Sequence, residues 1–233
     1  FVPDIMFRSG SGDTSYNPHI QANIQDVSMV TGFSKTSSRG WDWDLSNAFG
    51  NNNFHYFGDG TFNASNIGNI SQTHFDDGGF NFLQNTSNLD ISKQFGQVNN
   101  GGIKVAYGGE LRFEEYSIFK GEINSYKAFT NSYGLEQAPG SQGFPGFSPD
   151  DKVKANRIVT GAYSDIEFTP SEMFLITAAV RAENYSDFGS VATFKTSARL
   201  KLSSNFNLRG SFSTGYRAPS LQQKYFSNTL TSF

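Results

Sequence analysis

Few residues in this chain of 233 have the types and spacing that catalysis or metal binding requires. The three histidines, His19, His55 and His74, lack the short spacings that place two side chains on one metal ion. Two acidic, glycine-rich segments, residues 57–60 and 76–79, carry oxygen ligands that calcium accepts, but such segments are more often plain turns. Cysteine is absent, as are the motifs of serine hydrolases, phosphate-binding loops and zinc proteases. The sequence therefore predicts neither an enzyme nor a cofactor.

Composition narrows the possible partners. There are 18 Lys and Arg residues and 21 Asp and Glu residues, and the resulting net charge of −3 has the wrong sign for binding a phosphate backbone. Nucleic acid is therefore not an expected partner. The longest nearly apolar stretch, residues 173–180, is far shorter than the roughly 20 residues of a membrane-spanning helix. Membrane-spanning strands stay possible, because each needs only about ten residues of alternating character.

Alternation with a period of two marks several segments of the chain. Over residues 103–114 the odd positions are apolar or glycine, while the even positions are charged or small. The same alternation recurs over residues 174–185, 191–202 and 206–213. Successive side chains of a strand point to opposite faces, so this pattern predicts strands with one apolar face and one charged face. Helical spacing explains none of these segments.

Weaker alternation extends the prediction along the chain to about nine strands. Clusters of Gly, Asn, Ser and Pro predict the connections between them. The weaker strands are predicted at residues 27–34, 41–49, 54–64, 80–95 and 157–168. Short turns are predicted at residues 50–53, 96–101, 169–172 and 203–205, and long connections at residues 65–79 and 124–156. Long and short connections thus alternate, as they do in outer-membrane barrels, although a soluble antiparallel sandwich can share this feature.

The apolar face of so many strands must be covered by something. No amphipathic helix is predicted, so the candidates are membrane lipid and a second sheet. Trp41, Trp43, Tyr185 and Tyr216 fall near strand ends, where a membrane interface or the core of a soluble sheet would accommodate them. The fold class is therefore all-β and antiparallel, with two arrangements open. One is a transmembrane β-barrel, and the other is a soluble or surface-exposed β-sandwich binding module, such as an adhesin or glycan-binding domain.

Several motifs resemble one known family. Residues 207–223 read N-L-R-G-S-F-S-T-G-Y-R-A-P-S-L-Q-Q, which is similar to the block R-G-S-x-S-T-G-[FY]-R-A-P-S-L in the barrel of the TonB-dependent outer-membrane receptors. Residues 179–189, A-V-R-A-E-N-Y-S-D-F-G, resemble a strand and loop of the same family. Shorter matches, in the same order as in the family, are W-D-L-S at residues 43–46, N-L-D-I-S-K at residues 88–93 and F-P-G-F-S-P at residues 144–149. The resemblance covers most of the chain, from about residue 41 to residue 223.

The resemblance implies an antiparallel transmembrane β-barrel of 22 strands, of which this chain would supply a partial barrel of about nine. It also implies import, across the outer membrane of a Gram-negative bacterium, of a scarce or bulky ligand such as a siderophore, cobalamin or an oligomer. In this family a plug domain fills the lumen, and the TonB complex pulls on a short box before the plug. The sequence shows neither, so residues 1–233 are expected to be part of a single barrel domain of a longer receptor. The ligand and a possible surface lipoprotein partner are left open.

Two sets of residues are candidates for handling the ligand. Charged residues on one side of the strands are expected to face the lumen, where they would brace the wall, seat a plug or contact the substrate. The aromatic-rich connection at residues 124–156 is expected outside, where it would recognise the ligand or simply cap the barrel. The lumen candidates are Glu110, Arg112, Glu114, Arg181, Glu183, Lys195, Arg199, Arg209 and Arg217. The loop candidates are Tyr126, Phe129, Tyr133, Phe144 and Phe147.

Overall fold

One antiparallel sheet of eight strands forms the described part of the molecule. The computed structural model describes residues 17–66, 72–97, 100–130 and 137–228. Each strand pairs with the next, in the order of the sequence. The strands are β1 His19–Thr36, β2 Trp41–Asp59, β3 His74–Gln97, β4 Asn100–Lys120, β5 Lys154–Ser171, β6 Phe174–Tyr185, β7 Gly189–Lys201 and β8 Asn207–Ser213. The prediction of an all-β antiparallel fold is confirmed.

Helical structure is limited to short segments. Helix α1 spans Ile123–Tyr126 and helix α2 spans Leu221–Tyr225, and single 3₁₀ turns lie at Ala64–Asn66 and Pro149–Asp151. Helix α2 begins with a capping box, in which the Ser220 side chain accepts a hydrogen bond from the backbone of the first turn. Among the described residues, no helix has the length and apolar character needed to cross a membrane.

The register divides the side chains of the sheet into two faces. On β4, Leu111 lies between Ser87 of β3 and Thr160 of β5, and the next residue, Arg112, points to the opposite side. The face that includes Leu111 is termed the apolar face, and the face that includes Arg112 is termed the polar face. Exposed hydrophobic side chains of the apolar face occur on every strand and include Phe33, Leu45, Leu89, Leu111, Ile166, Val180, Phe194 and Phe212. Within the described residues, no second sheet covers this face.

The structure has eight strands, and not the nine predicted, because residues 50–53 form no turn. These residues are one glycine and three asparagines, yet β2 runs through them without a break. Gly50 is paired with Ser28 on β1 and with Gln84 on β3, so the backbone is bonded on both sides. Two rows of backbone hydrogen bonds outweigh the local preference of Asn and Gly for turns. The turn predicted at residues 169–172 is displaced as well, because β5 continues to Ser171.

Both long connections lie at one end of the sheet, which they share with the three-residue link from β6 to β7. The links from β1 to β2, β3 to β4, β5 to β6 and β7 to β8 are tight and define the short-turn end. The opposite end, termed the loop end, carries the long connections at residues 60–73 and 121–153, close to their predicted positions. The strands are also staggered, since β3 continues from Lys93 to Gln97 beyond the level where β1 and β2 stop pairing. Such a stagger accompanies the tilted strands of a barrel.

The densest packing lies on the polar face at the loop end. Its buried members are Phe80, Tyr116, Ile118, Phe147 and Leu221. Phe147 belongs to the connection between β4 and β5, whose described residues 121–130 and 137–153 are termed the cap. Leu221 belongs to residues 214–228, which are termed the strap. The cap and the strap therefore fold inward over one end of the polar face, and they leave the apolar face uncovered.

Candidate functional site on the polar face

Charged side chains form a ladder across three strands of the polar face. Arg181 of β6 reaches over β5 to Glu110 of β4, with 2.7 Å between Nη2 and Oε2, and it also pairs with Glu183 at 2.8 Å. The β5 residue in this row is Gly161, which leaves room for the crossing, since a Cβ there would lie 3.3 Å from Nη2 of Arg181. Arg181 thus has a carboxylate on each side.

Glu114 joins this ladder to a buried arginine. Its Oε1 lies 3.1 Å from Nε of Arg112, and its Oε2 lies 3.5 Å from Nη1 of Arg157. Arg157 is only 2% exposed and forms a bidentate pair with Asp187, in which Nε donates at 2.9 Å and Nη2 at 2.8 Å. Nη1 donates to the carbonyl oxygen of Pro219 at 3.0 Å. Arg157, on β5, is therefore bonded to β4, to the link between β6 and β7, and to the strap.

Asp187 is held in its charged form by two cations. Burial by itself would raise its pKa, but hydrogen bonds from Arg157 and Lys224 outweigh burial and lower the pKa below the ordinary value. The Lys224 contact is 2.6 Å long, and the guanidinium of Arg157 lies over the ring of Phe188. Arg157 was not among the residues predicted from the sequence. Alternation with the outward Ile158 could have placed it on the polar face, but its partners lie 30 and 62 residues away, where no local pattern reveals them.

The remaining lumen candidates lie apart from the ladder. Lys195 and Arg199 of β7 and Arg209 of β8 share the polar face, with Arg199 directly opposite Arg209 in the register. Across the described ranges of the chain, none of these three side chains has an ion pair. Arg217 lies beyond β8 in the strap and is exposed. The structure therefore brings five of the nine predicted residues into one connected ladder and leaves the other four outside it.

Carboxylates gather on the polar face of the strands nearer the start of the chain. Asp44 lies opposite Asp90 across β2 and β3, close to the short-turn end. On β5, Asp165 and Glu167 point to the same face, and Lys104 of β4 pairs in register with Glu167. Strands β7 and β8, in contrast, contain cations and no carboxylate. The polar face is thus divided by charge near its short-turn end.

The predicted loop aromatics take different positions in the cap. Phe147 is fully buried in the core cluster, and Phe144 packs against it with 6.2 Å between ring centroids. Phe147 is therefore part of the core and is not free to contact a ligand, whereas Phe144 packs against it and stays partly exposed. Tyr126 and Phe129 are partly exposed, while Tyr133 lies outside the described residues.

Asp77 is a buried carboxylate that fastens the cap at the loop end. Its Oδ1 lies 2.9 Å from Oγ of Ser141, which is also 2.6 Å from the carbonyl oxygen of Phe144. The hydroxyl hydrogen of Ser141 can be donated to only one of these two oxygens. If Asp77 is protonated, its own hydrogen is donated to Oγ of Ser141, and the Ser141 hydroxyl donates to the carbonyl oxygen of Phe144, so both contacts are hydrogen bonds. Burial raises the pKa of Asp77 to about 7, the Ser141 hydrogen bond works against this rise, and the charges of Asp76 and Glu122 add to it.

The histidines lie at the loop end beside carboxylates. Asp59 is 3.2 Å from Nε2 of His19 and 3.5 Å from Nδ1 of His74, while Asp76 is 2.7 Å from Nε2 of His55. These are pairs and short chains of contacts. In the part of the chain that the structure describes, no three His, Asp or Glu side chains converge as metal ligands.

These features define the wall of an antiparallel β-barrel. In membrane barrels, lipid-facing and lumen-facing side chains alternate along each strand, and tight turns at one end contrast with longer loops at the other. The sheet has hydrophobic rows on one face and charged ladders on the other, and its two long connections lie at one end, together with the short link from β6 to β7.

The chain belongs to the TonB-dependent receptor-like β-barrel family. The family profile described as "TonB dependent receptor-like, beta-barrel" matches residues 4–232. This match confirms the family predicted from residues 207–223.

Named relatives and solved structures agree with this family. The vitamin B12 transporter BtuB of Vibrio vulnificus strain CMCP6 is 25% identical over 138 residues, which cover 59% of this chain and 22% of that protein. The structure of the RagAB peptide transporter covers 78% of this chain with a TM-score of 0.55 and 9% identity, and the match is 20% of that chain. The RagAB peptide importer in its "open-open" state covers 84% with a TM-score of 0.60 and 12% identity, and the match is 22% of that chain. The chain therefore spans about a fifth of the length of these proteins, and the structural matches show the fold alone.

Proposed function

We propose that this chain is part of the wall of a TonB-dependent importer in the outer membrane of a Gram-negative bacterium. Residues 1–233 belong to one barrel domain, and further strands and a plug outside this chain complete the receptor. The observation that carries the proposal is the uncovered apolar face. Leu111 is 55% exposed and Val180 is 52% exposed, in the middle of a sheet whose described residues provide no second layer. Hydrocarbon covers such a face without leaving backbone groups unpaired when the sheet closes into a barrel.

The polar face supports a water-filled lumen. The ladder of Glu110, Arg112, Arg181 and their neighbours satisfies its charges within the wall, so we assign these residues to bracing the strands against one another. Direct contact with the ligand is assigned instead to the partly exposed aromatics of the cap, Tyr126 and Phe129, which stand on a rigid scaffold.

The proposed cargo is a ligand too scarce or too bulky for diffusion through a porin. Siderophores, cobalamin and oligomers fall in this class, and the relatives named above include transporters of vitamin B12 and of peptides. Energy would come from the TonB complex acting on the plug. A surface lipoprotein is proposed as a further partner, in keeping with the loops at one end of the wall.

The alternative of a soluble β-sandwich has no support in the described residues. A sandwich would bury the apolar face beneath a second sheet. Ile103 and Ile176, on that face near the short-turn end, are each 38% exposed, and the cap and strap pack on the opposite face.

Fractionation and uptake test the proposal on the full-length receptor expressed in a Gram-negative host. The receptor is expected in the outer membrane, to require detergent for extraction, and to migrate differently on gels before and after boiling, as intact barrels do. Cells carrying it are expected to take up one of three probes: labelled cyanocobalamin, a ferric siderophore or a fluorescent oligopeptide. A protonophore should abolish that uptake, whereas cells lacking the receptor serve as the control. A receptor that is a monodisperse monomer without detergent, or that is folded yet takes up none of the probes, would contradict the proposal.

A further inference from the structure

A concavity on the polar face of β6, β7 and β8 is lined by three cations. Its volume is about 440 Å³, and its lining includes Lys195, Arg199 and Arg209 together with Leu175 of β6. Neither β7 nor β8 contains Asp or Glu. None of the three cations forms an ion pair with a residue that the structure describes. This feature, termed the cationic concavity, therefore concentrates positive charge at one place on the wall.

This arrangement of charges is unfavourable unless an anion neutralises it. Arg199 lies directly opposite Arg209, and like charges in such a position destabilise a pair of strands. Nε of Arg199 is buried and has no hydrogen-bond acceptor among the described residues, which is also unfavourable. The same wall pairs Arg181 with two carboxylates, so its cations are not left unpaired as a rule. An anion bound between the two arginines would relieve both penalties.

The carboxylates of the described wall do not reach these cations. Asp165 and Glu167 of β5 point to the same face, but β6 lies between β5 and β7. In the row that joins Asp165 to Lys195, the β6 residue is Ala179, and two strand spacings separate the backbones by roughly 10 Å. Glu172, in the turn between β5 and β6, is exposed and pairs with none of the three cations. Neutralisation therefore needs an anion from outside the described wall.

The spacing of the cations favours a small anion with more than one charged group. Arg199 and Arg209 lie opposite each other, and a guanidinium binds phosphate or carboxylate oxygens through paired hydrogen bonds. Lys195 is four residues from Arg199, about 13 Å along the strand, so its flexible side chain suits a second charged group. The row between them consists of Ser197 and Ser211, whose hydroxyl groups are further donors. Concave sites with a few convergent polar groups are typical of small-ligand binding.

We propose that the cationic concavity binds a small oxyanion with at least two negative charges, carried by phosphate or carboxylate groups. Arg199 and Arg209 hold one charged group, and Lys195 holds the other. The inference rests on the proposed function, in which the polar face lines the lumen, and it adds a ligand class for the wall itself. The site extends from the middle of β7, where Lys195 pairs with Ser213, towards the short-turn end. It is therefore distinct from the cap aromatics at the loop end.

Pyridoxal 5′-phosphate tests the site on the purified full-length receptor. Its aldehyde condenses with a lysine amine to an imine with loss of water, and borohydride reduces the imine to a stable secondary amine that mass spectrometry locates. Lys195 is expected to be labelled roughly threefold or more faster than Lys201, because the bound phosphate group holds the aldehyde nearby. Lys201 is the internal control, since it is exposed on the same strand but does not line the concavity. Pyrophosphate and citrate, added separately as competitors, distinguish phosphate from carboxylate ligands.

Calorimetric titration with pyrophosphate measures the contribution of the arginines. R199Q is expected to raise the dissociation constant roughly tenfold or more, because a charge-assisted contact is lost. R199K keeps the charge without the planar fork and is expected to fall between R199Q and the parent. The control R39Q removes an exposed cation from the turn between β1 and β2 and should leave the constant unchanged. Migration of the unboiled receptor on gels shows that each variant is folded.

The outcomes separate this inference from the proposed function. Failure of the folded parent receptor to bind either pyrophosphate or citrate would overturn the oxyanion site. Labelling of Lys195 that is no faster than that of Lys201, or equal dissociation constants in R199Q and R39Q, would overturn it as well. Each of these results leaves the importer intact if the receptor stays in the outer membrane and takes up its cargo. A receptor that fails to fractionate with the outer membrane would instead contradict the proposed function.

Discussion

Two buried charges at the loop end show how single residues hold the cap and the strap in place. Arg157 is surrounded by Glu114, Asp187 and the carbonyl oxygen of Pro219, so its charge is satisfied despite complete burial. Asp77 has one hydroxyl partner and an unpartnered oxygen among the described residues, so burial favours its neutral form. Burial is thus offset at Arg157 by its acidic partners and a carbonyl oxygen, whereas at Asp77 it pushes the carboxyl group towards neutrality.

Removing the guanidinium of Arg157 should loosen the strap. In R157M the free energy for opening residues 214–225 is expected to fall by about 2–3 kcal/mol, somewhat less than for a buried ion pair left without any partner, because Asp187 retains Lys224. Hydrogen exchange of the strap in the full-length receptor measures this change. The control R217Q alters an exposed arginine of the same strap. Equal exchange in the two variants would contradict the role assigned to Arg157.

The raised pKa of Asp77 predicts a cap whose stability depends on pH. The folded state binds the proton more tightly than the unfolded state, so stability is highest below the unfolded value of 3.8 and falls as pH rises to about 7. The total loss is roughly 2–4 kcal/mol. Exchange of the cap residues 140–147, corrected for the intrinsic pH dependence, should therefore increase over this range.

The variant D77N should remove most of this dependence, because an amide does not titrate in this range. D150N, a change at an exposed carboxylate of the same cap, is the matched control and should behave as the parent does. The explanation would be wrong if D77N kept the pH dependence of the parent receptor.

At the scale of the strands, the sequence predicts faces better than it predicts ends. The alternation over residues 103–114 assigns β4 correctly, because a period of two sends apolar and charged side chains to opposite sides. The ends depend on pairing with neighbours, so the asparagine-rich residues 50–53 were predicted as a turn and are instead part of β2. The ladder residues could be placed on one face, but the connection of Arg157 to the strap depends on contacts distant in sequence.

Two adjacent glycines of β4 give a test of packing within the sheet. A Cβ on Gly108 would lie 2.5 Å from the carbonyl oxygen of Leu89 and 2.6 Å from the ring of Tyr163, whereas Gly109 meets only the carbonyl oxygen of Gly161 at 3.6 Å. G108A is expected to destabilise the barrel by about 1–3 kcal/mol through overpacking. G109A should be neutral or slightly stabilising, since alanine restricts the unfolded chain. The urea midpoint for loss of the unboiled gel band measures both, and equal midpoints would contradict the packing described.

At the scale of the molecule, the proposed function requires lipid on one face of the sheet and water on the other. The sequence was sufficient to predict one apolar face, but it left open whether lipid or protein covers it. Among the described residues the structure has no second sheet, and the cap and strap lie on the polar face.

An arginine placed on the apolar face should destabilise the barrel only if lipid covers that face. L111R is expected to destabilise the inserted barrel by about 2–4 kcal/mol, the cost of a cation near the middle of a bilayer. I123R replaces a similarly exposed hydrophobic residue in the cap, outside the sheet, and should change stability little. Unfolding of the receptor from lipid vesicles in urea compares the two. Equal effects would indicate that both positions face water.

The most direct test is the accessibility of spin labels along β4. The chain has no cysteine, so single cysteines at positions 103–114 of the receptor, reconstituted in lipid vesicles, each carry one label in this segment. Electron paramagnetic resonance compares collisions with oxygen, which concentrates in hydrocarbon, and with a water-soluble nickel chelate. Odd positions such as Leu111 are expected to favour oxygen, and even positions such as Arg112 are expected to favour the chelate. Odd positions shielded from both reagents would mean that protein covers the apolar face and would contradict the account.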